Sequence, residues 1–318
     1  EKAPEILDRL LSKTDILVQN LAPSAMKKLG LNYESLKEKH DQLIICNISG
    51  YGTEGPYKEK KAYDLLVQAE SGFLSITGTK SNLVKSGISI ADIAAGMHAF
   101  SAILAAIIER GKSGKGSCID ISMLEAMVEW MGFPLFYSYE GAPPPGRTGA
   151  DHASIYPYGI FQTADAETLI VGLQNEREWV RFCRTVLNRP ELIDDSRFAN
   201  NTDRSINREE LRDIIQINFI AQSTTEIITR LESASIAYAN VNNMEDVWQH
   251  KQLKALNRLI TTPTPEGEIS TFLPPTNNRE FDPTLSPVPA LGEHSRRILE
   301  GLGFTSSEID NFYDCQVI

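Results

Sequence analysis

Over residues 1–140, short apolar runs of strand length alternate with stretches whose apolar residues recur at helical spacing. Ile16-Leu17-Val18, Leu43-Ile44-Ile45-Cys46-Asn47-Ile48, residues 87–91 and Ile119-Asp120-Ile121 have the character of strands. Helices are expected near residues 3–12, after Pro23, from Tyr63, from about residue 92 through Arg110, and after Ile121. Strands separated by helices demand crossover connections, which are right-handed and build a parallel sheet. The fold class is therefore α/β. Ligands of such sheets collect at the carboxyl ends of the strands, where this reading places Asn20 and Asp92.

The texture changes after Ala142-Pro143-Pro144-Pro145-Gly146, a linker whose three prolines stop a helix and stiffen the connection. Hairpin-like strands are expected at residues 158–163 and 168–172, then helices from Asn175, Ser205 and Ser223. Ser223-Thr224-Thr225-Glu226 and Thr305-Ser306-Ser307-Glu308 fit the capping box that opens a helix. The expected division is residues 1–140 as a large domain, 141–285 as linker and small domain, and 286–318 as a segment returning to the large domain. The chain opens Glu1-Lys2-Ala3-Pro4-Glu5-Ile6-Leu7, without Met and already at helical spacing. It is expected to enter partway through a domain, with any targeting signal upstream.

Composition excludes several classes. A formal charge of −11 over 318 residues argues against a general nucleic-acid binder. No apolar run approaches the roughly 20 residues of a bilayer span, so no membrane partner is expected. Cys46, Cys118, Cys183 and Cys315 are scattered without metal-ligand spacing. They suggest reduced thiols in a cytoplasmic compartment, and no bound metal is expected.

Asp92 lies in Gly87-Ile88-Ser89-Ile90-Ala91-Asp92-Ile93-Ala94-Ala95-Gly96, where an apolar run meets a helix start rich in small residues. Backbone N–H groups and the helix dipole favour negative charge there, and a plain N-cap is the structural alternative. A second motif, Gly50-Tyr51-Gly52-Thr53-Glu54-Gly55, matches the dinucleotide-binding pattern G-x-G-x-x-G. Its context fails: the charged stretch Pro56-Tyr57-Lys58-Glu59-Lys60-Lys61 follows where a packed helix should begin. A flexible turn is the better reading.

Taken together the chain resembles a class III CoA-transferase, the family that includes formyl-CoA transferase, carnitine CoA-transferase and α-methylacyl-CoA racemase. The resemblance rests on Asp15-Ile16-Leu17-Val18-Gln19-Asn20-Leu21-Ala22-Pro23, Ile48-Ser49-Gly50-Tyr51-Gly52-Thr53-Glu54-Gly55-Pro56, Ala62-Tyr63-Asp64 and Ala91-Asp92-Ile93-Ala94-Ala95-Gly96-Met97. Arg110-Gly111-Lys112-Ser113-Gly114-Lys115-Gly116, Pro157-Tyr158-Gly159-Ile160-Phe161 and Pro289-Ala290-Leu291-Gly292-Glu293-His294 continue it in the same order. By that resemblance an opening strand and loop of about 70 to 80 residues, which supply part of the CoA site in the family, are expected to be missing from this stretch. The resemblance implies a Rossmann-like large domain, a smaller α+β domain and an interlocked homodimer. It also implies acyl-CoA and small carboxylic acids as substrates with no permanently bound cofactor, and makes Asp92 the nucleophile.

A carboxylate suits that chemistry, because it splits an exchange between two carboxylic acids into covalent steps through an anhydride and an aspartyl-CoA thioester. Each step needs donors for a tetrahedral oxyanion. The helix start after Asp92 and the glycines of Gly146-Arg147-Thr148-Gly149 are the candidates, the second by family analogy. By family position Asn20, Leu21, Lys28 and Lys61 are candidates for holding CoA, with Lys27, Lys58 and Lys60 as further cations; Tyr63 would line the acyl pocket. Family racemases carry a Gly-His-Asp motif where this chain has Ala62-Tyr63-Asp64, and a tyrosine is a poor base at neutral pH. Transfer is therefore favoured over racemisation. A catalytically silent CoA-binding or scaffold member is the alternative from another class. The stretch from Gly141 to Ala150 with His152 is similar to the branch acting on small dicarboxylates such as succinate, mesaconate, itaconate and citramalate. Arg147 offers a fork to the distal carboxylate, and His152 or Tyr158 a further hydrogen bond. The alternative is that Arg147 and His152 tie the linker down.

Overall fold

The computed structural model describes residues 3–276, 278–280, 283 and 285–318. The chain divides into two compact units. One comprises Val18–Tyr33 and Ile44–Val241, the other Glu1–Leu17, Glu34–Leu43 and Asn242–Ile318. Its first elements are α1 (Ala3–Leu11), β1 (Ile16–Gln19), α2 (Pro23–Leu29), α3 (Tyr33–Leu36) and β2 (Ile44–Ser49). Then come α4 (Asp64–Glu70), α5 (Phe73–Ile76), α6 (Ile90–Ser113), β3 (Cys118–Ser122), α7 (Met123–Trp130) and α8 (Gly132–Tyr137).

The strands β1, β2 and β3 form a sheet in that order, and β2 pairs parallel with β3, Ile45 opposite Cys118 and Ser49 opposite Ser122. Ile44, Ile45, Cys46 and Asn47 are all buried, as expected for a strand covered on both faces. The α/β expectation holds. Asn47 carries the one polar side chain of that run. It donates to Asp120 Oδ1 at 2.9 Å and accepts from Gln19 Nε2 at 2.7 Å, so the buried amide is satisfied across all three strands.

The expected strand at residues 87–91 is absent. The Ile90 N–H binds Ile88 O at 2.8 Å and the Ile93 N–H binds Ser89 O at 3.0 Å, so α6 already starts at Ile90. A short apolar alternation before a helix does not separate the two outcomes. Asp92 accordingly sits in the first turn of a helix rather than at a strand end. At the far end Gly114 adopts φ 69° and its N–H closes on Arg110 O, the left-handed glycine stop.

α6 also corrects the expectation about apolar runs. An 18-residue window of it has mean hydropathy 1.7, long and apolar enough to cross a membrane by length and composition. Gly96, His98 and Ser101 interrupt the run without lowering its average enough. Ala91, Ala94, Ala95 and Ala99 form its buried face, packed in a cluster with Val67 of α4 and Met127 of α7. Ile93, Met97, Phe100, Leu104 and Ile108 form an exposed apolar stripe.

Past the proline linker, β4 (Tyr158–Gln162) and β5 (Thr168–Gly172) form the expected hairpin. Helices α9 (Glu176–Arg181), α10 (Asn201–Ile206), α11 (Arg208–Phe219) and α12 (Thr224–Ser233) follow, and β6 (Ala237–Asn240) pairs antiparallel with β5. The core here is aromatic and complete: Phe161, Trp179, Phe182, Phe198 and Phe219 are all buried, with Leu169, Val171, Ile215 and Leu231 among them. The helix expected from Ser205 begins earlier, at Asn201 behind the cap Asn200. Strand β6 was not expected, since Ala237-Tyr238-Ala239-Asn240 holds no β-branched residue.

The other unit contains α13 (Met244–Trp248), α14 (Lys251–Ala255), the antiparallel hairpin β7 (Leu259–Thr264) and β8 (Gly267–Phe272), α15 (Ser295–Gly301) and α16 (Ser306–Asp314). Leu299, Phe304, Ile309 and Phe312 form its buried cluster, with Ile6 of α1 packed on it and the Arg9 guanidinium 3.9 Å from the Phe304 ring centre. Both expected capping boxes are formed, at Ser223/Glu226 and Thr305/Glu308, and a third occurs at Asn243/Asp246.

Arg204 is a buried charge with several partners in the aromatic core. It grips Glu176 with two bonds of 2.8 and 2.9 Å and donates to Tyr156 O and Phe198 O, each at 3.0 Å. The Arg204 contact holds the Glu176 carboxyl below the ordinary glutamate value. That contribution to stability is present above the unfolded value near 4.5 and is lost as pH falls through the lower folded one. Glu176→Gln should therefore cost no more than about 1 kcal/mol in urea unfolding at pH 7, because half of the Glu176 side chain is in water, and the difference should shrink as pH drops below 4. A pH-independent difference would contradict this.

Candidate functional site

A cavity of about 560 Å³ opens at the carboxyl end of β2. Four stretches wall it: Asn20, Leu21 and Ala22 after β1; residues 48–51; residues 58–64; and Asp92, Ala95 and Gly96 from the first turns of α6. Met123, at the start of α7, completes the lining.

Each wall has a local cause. The turn after β1 is held from behind, since Leu21 N–H donates at 2.6 Å to Gln19 Oε1, whose amide end is fixed on Asn47. At Gly50 the backbone passes so close to residue 62 that an added Cβ would lie 2.0 Å from Ala62 Cβ. Gly52 and Gly55 adopt φ of 97° and 84°, which favour glycine. No helix follows Gly55 before α4 at Asp64, so the G-x-G-x-x-G stretch is a turn and the dinucleotide reading lacks its helix.

Asp64 occupies the start of α6. Its Oδ1 accepts from Ala91 N–H at 2.7 Å and from Asp92 N–H at 3.4 Å, while its Oδ2 accepts from Gln68 Nε2 at 2.6 Å. Gln68 is fully buried, and its own carbonyl oxygen accepts from Ser86 N–H at 2.9 Å. With the Ile93 N–H already on Ser89 O, the amides at the helix start are taken. This overturns the expectation that they serve the Asp92 carboxylate or a developing oxyanion. Among the described residues, no donor hydrogen-bonds the Asp92 carboxylate. Its carboxyl is pushed above the ordinary aspartate value, first by loss of water around it and second by the negative charge of Asp64.

Of the residues singled out in the sequence, Asn20, Leu21, Lys61, Tyr63 and Asp92 line this one cavity, together with Lys58 and Lys60. Tyr63 is 72% exposed and caps α4. Lys60 pairs with Glu70 and lies over the rings of Tyr51 and Tyr57. Lys28, in the last turn of α2, does not line the cavity. Nor do Arg147, His152 and Tyr158. The Arg147 guanidinium donates to the carbonyls of Thr79 at 2.8 Å, Lys80 at 3.0 Å and Ser75 at 3.4 Å, which ties the linker to the segment before α6. The Gly149 N–H is likewise spent, on Gly78 O at 2.7 Å. His152 accepts from the N–H groups of Ser154 and Ile155 and stacks on Tyr158 with ring centres 5.2 Å apart. His98 packs beside Trp130 and faces Glu129. Sequence reasoning missed the part played by Asp64, because nothing local links it to a helix start 26 residues further on.

The chain belongs to CoA-transferase family III, whose model matches residues 1–295. It is similar to the succinyl-CoA:glutarate CoA-transferase of Homo sapiens, 32% identical over 302 residues that cover 94% of this chain and 68% of the relative. The succinate–glutarate CoA-transferase of Agrobacterium fabrum is 31% identical over 310 residues, covering 95% of this chain and 76% of the relative. In fold the chain is similar to a crystal structure of a CAIB/BAIF family protein from Brucella suis, with a TM-score of 0.83 and 30% identity over 95% of this chain and 79% of that one. The protein is therefore a family III CoA-transferase, acting on CoA thioesters.

A raised carboxyl costs the folded state at neutral pH, since folding then works against ionisation. Asp92→Asn should melt at the same or a higher temperature than the parent at pH 7. The parent should gain on the variant as pH falls through the raised folded value toward 3.8. A lower midpoint for the variant at pH 7, followed by calorimetry, would contradict this account of Asp92.

Proposed function

We propose that the protein moves CoA from succinyl-CoA, or a similar donor, to a small dicarboxylic acid, with Asp92 as the nucleophile. The observation that carries this is a carboxylate with free oxygens in the first turn of α6, on the wall of a cavity that also holds Lys58, Lys61 and Tyr63. An Asp92 oxygen attacks the donor thioester carbon, the C–S bond breaks, and CoA thiolate leaves behind a mixed anhydride. The thiolate then attacks the aspartyl carbonyl, giving aspartyl-CoA thioester and releasing the donor acid. The acceptor carboxylate attacks that thioester, and the expelled thiolate finally takes the acceptor's acyl group and restores Asp92. No proton, metal or redox partner enters the balance. Water has to be excluded while the anhydride lasts.

Lys58 and Lys61 at the cavity supply positive charge for the CoA phosphates in a chain of net −11. Asn20, Leu21 and Tyr63 supply the remaining contacts, and Lys28 acts on the phosphates only if they extend past the cavity. Two relatives named for transfer between succinate and glutarate support including glutarate, a C5 diacid, among the acceptors. Arg147 and His152, already engaged within the chain, favour a linker-fastening role over recognition of the distal carboxylate. A homodimer is part of the proposal. The exposed stripe of α6, together with Phe133, Phe136 and Tyr139, is apolar surface that a second copy would cover.

A transfer screen of succinyl-CoA against C4 and C5 diacids and matched monoacids tests the reading. Diacids should turn over faster, and Asp92→Asn should lose at least about 10³-fold in kcat while remaining folded. Normal turnover in that variant would remove Asp92 as the nucleophile, and a folded parent that binds CoA but turns over no acceptor would favour a silent CoA-binding scaffold. Loss of α-deuterium from a branched acyl-CoA without any acceptor acid would favour the racemase.

A further inference from the structure

We infer that Asp64 is a positioning residue for the transfer: by occupying the N-terminal amides of α6 it leaves the Asp92 carboxylate uncapped beside the cavity. This rests on the proposed role of Asp92.

A carboxylate in the first turn of a long helix normally settles onto the free N–H groups there. Those bonds lower its basicity and tie up the lone pairs a nucleophile needs. Here the Ala91 and Asp92 amides donate to Asp64, at 2.7 and 3.4 Å, so the competition is already decided. Asp64 is itself locked, because Gln68, fully buried, grips its second oxygen and is anchored in turn by the Ser86 amide. The chain from Ser86 through Gln68 and Asp64 to α6 therefore fixes both where the helix starts and which carboxylate caps it. The second charge keeps Asp92 the more basic of the two roles and discourages it from settling on the helix end.

Inactivation by succinyl-CoA with hydroxylamine, followed by mass spectrometry of the modified peptide, reads the first covalent step directly. Label on a residue other than Asp92 in the parent would refute the reading of Asp92 itself. With the parent labelled at Asp92, Asp64→Ala, which vacates those amides, should slow labelling about 10- to 100-fold with KM for succinyl-CoA little changed. The acid limb of its pH profile should move to lower pH by about one unit, because the neighbouring negative charge is gone. The double variant Asp64→Asn/Gln68→Glu keeps the hydrogen-bond chain and shifts the charge away from α6, and should show the same displaced limb in a protein of parental melting temperature. Parental labelling rate and an unmoved acid limb in either variant would overturn the inference.

Discussion

The site depends on α6 lying against α4 through a face of alanines on α6. Ala91, Ala94 and Ala95 are fully buried in one cluster with Val67 and Met127, and bulk at any of them would push the helix axis outward. Because the helix lies close, its first turn comes within reach of the Asp64 carboxylate at the head of α4, and Asp92 falls on the cavity wall. Close packing on one face and a carboxylate on the other are thus two consequences of the same small-residue pattern.

The cavity is built chiefly from backbone and short loops at strand ends. Gly50 approaches Ala62, the turn after β1 is secured through Gln19 and Asn47, and Leu124 N–H closes on Gly50 O at 3.1 Å. A polar ladder from Asp120 through Asn47 and Gln19 to the Leu21 amide crosses the sheet beneath the site. Asn47 is the buried member of the ladder, and satisfying its amide on both sides rigidifies the strands it joins. The lysines lie at the surface of this frame, where an acidic protein can present a local positive rim without burying it.

Much of this was legible in the sequence. The strand–helix alternation gave the parallel sheet, the capping boxes marked helix starts at Thr224 and Ser306, and the family-order motifs led to Asp92. What escaped is what no local pattern encodes. The run at residues 87–91 alternates like a strand but begins a helix, and the helix amides are served by an aspartate 27 positions away from the residue it binds first. Arg147 looked like a ligand for a carboxylate, yet three backbone carbonyls of the segment 75–80 converge on it. Strand β6 escaped because its pairing with β5 is tertiary and its residues have little strand preference. In each case the deciding partner lies far off in the chain.

The proposed transfer requires a covalent bond between acyl substrate and Asp92. The most direct measurement is a crystal structure of the protein frozen after soaking with succinyl-CoA and no acceptor. Continuous density is expected from an Asp92 side-chain oxygen to the succinyl carbonyl carbon, or from the Asp92 carbonyl carbon to the CoA sulfur. Density joining the acyl group or the sulfur to any other side chain, with Asp92 standing apart from both, would contradict it.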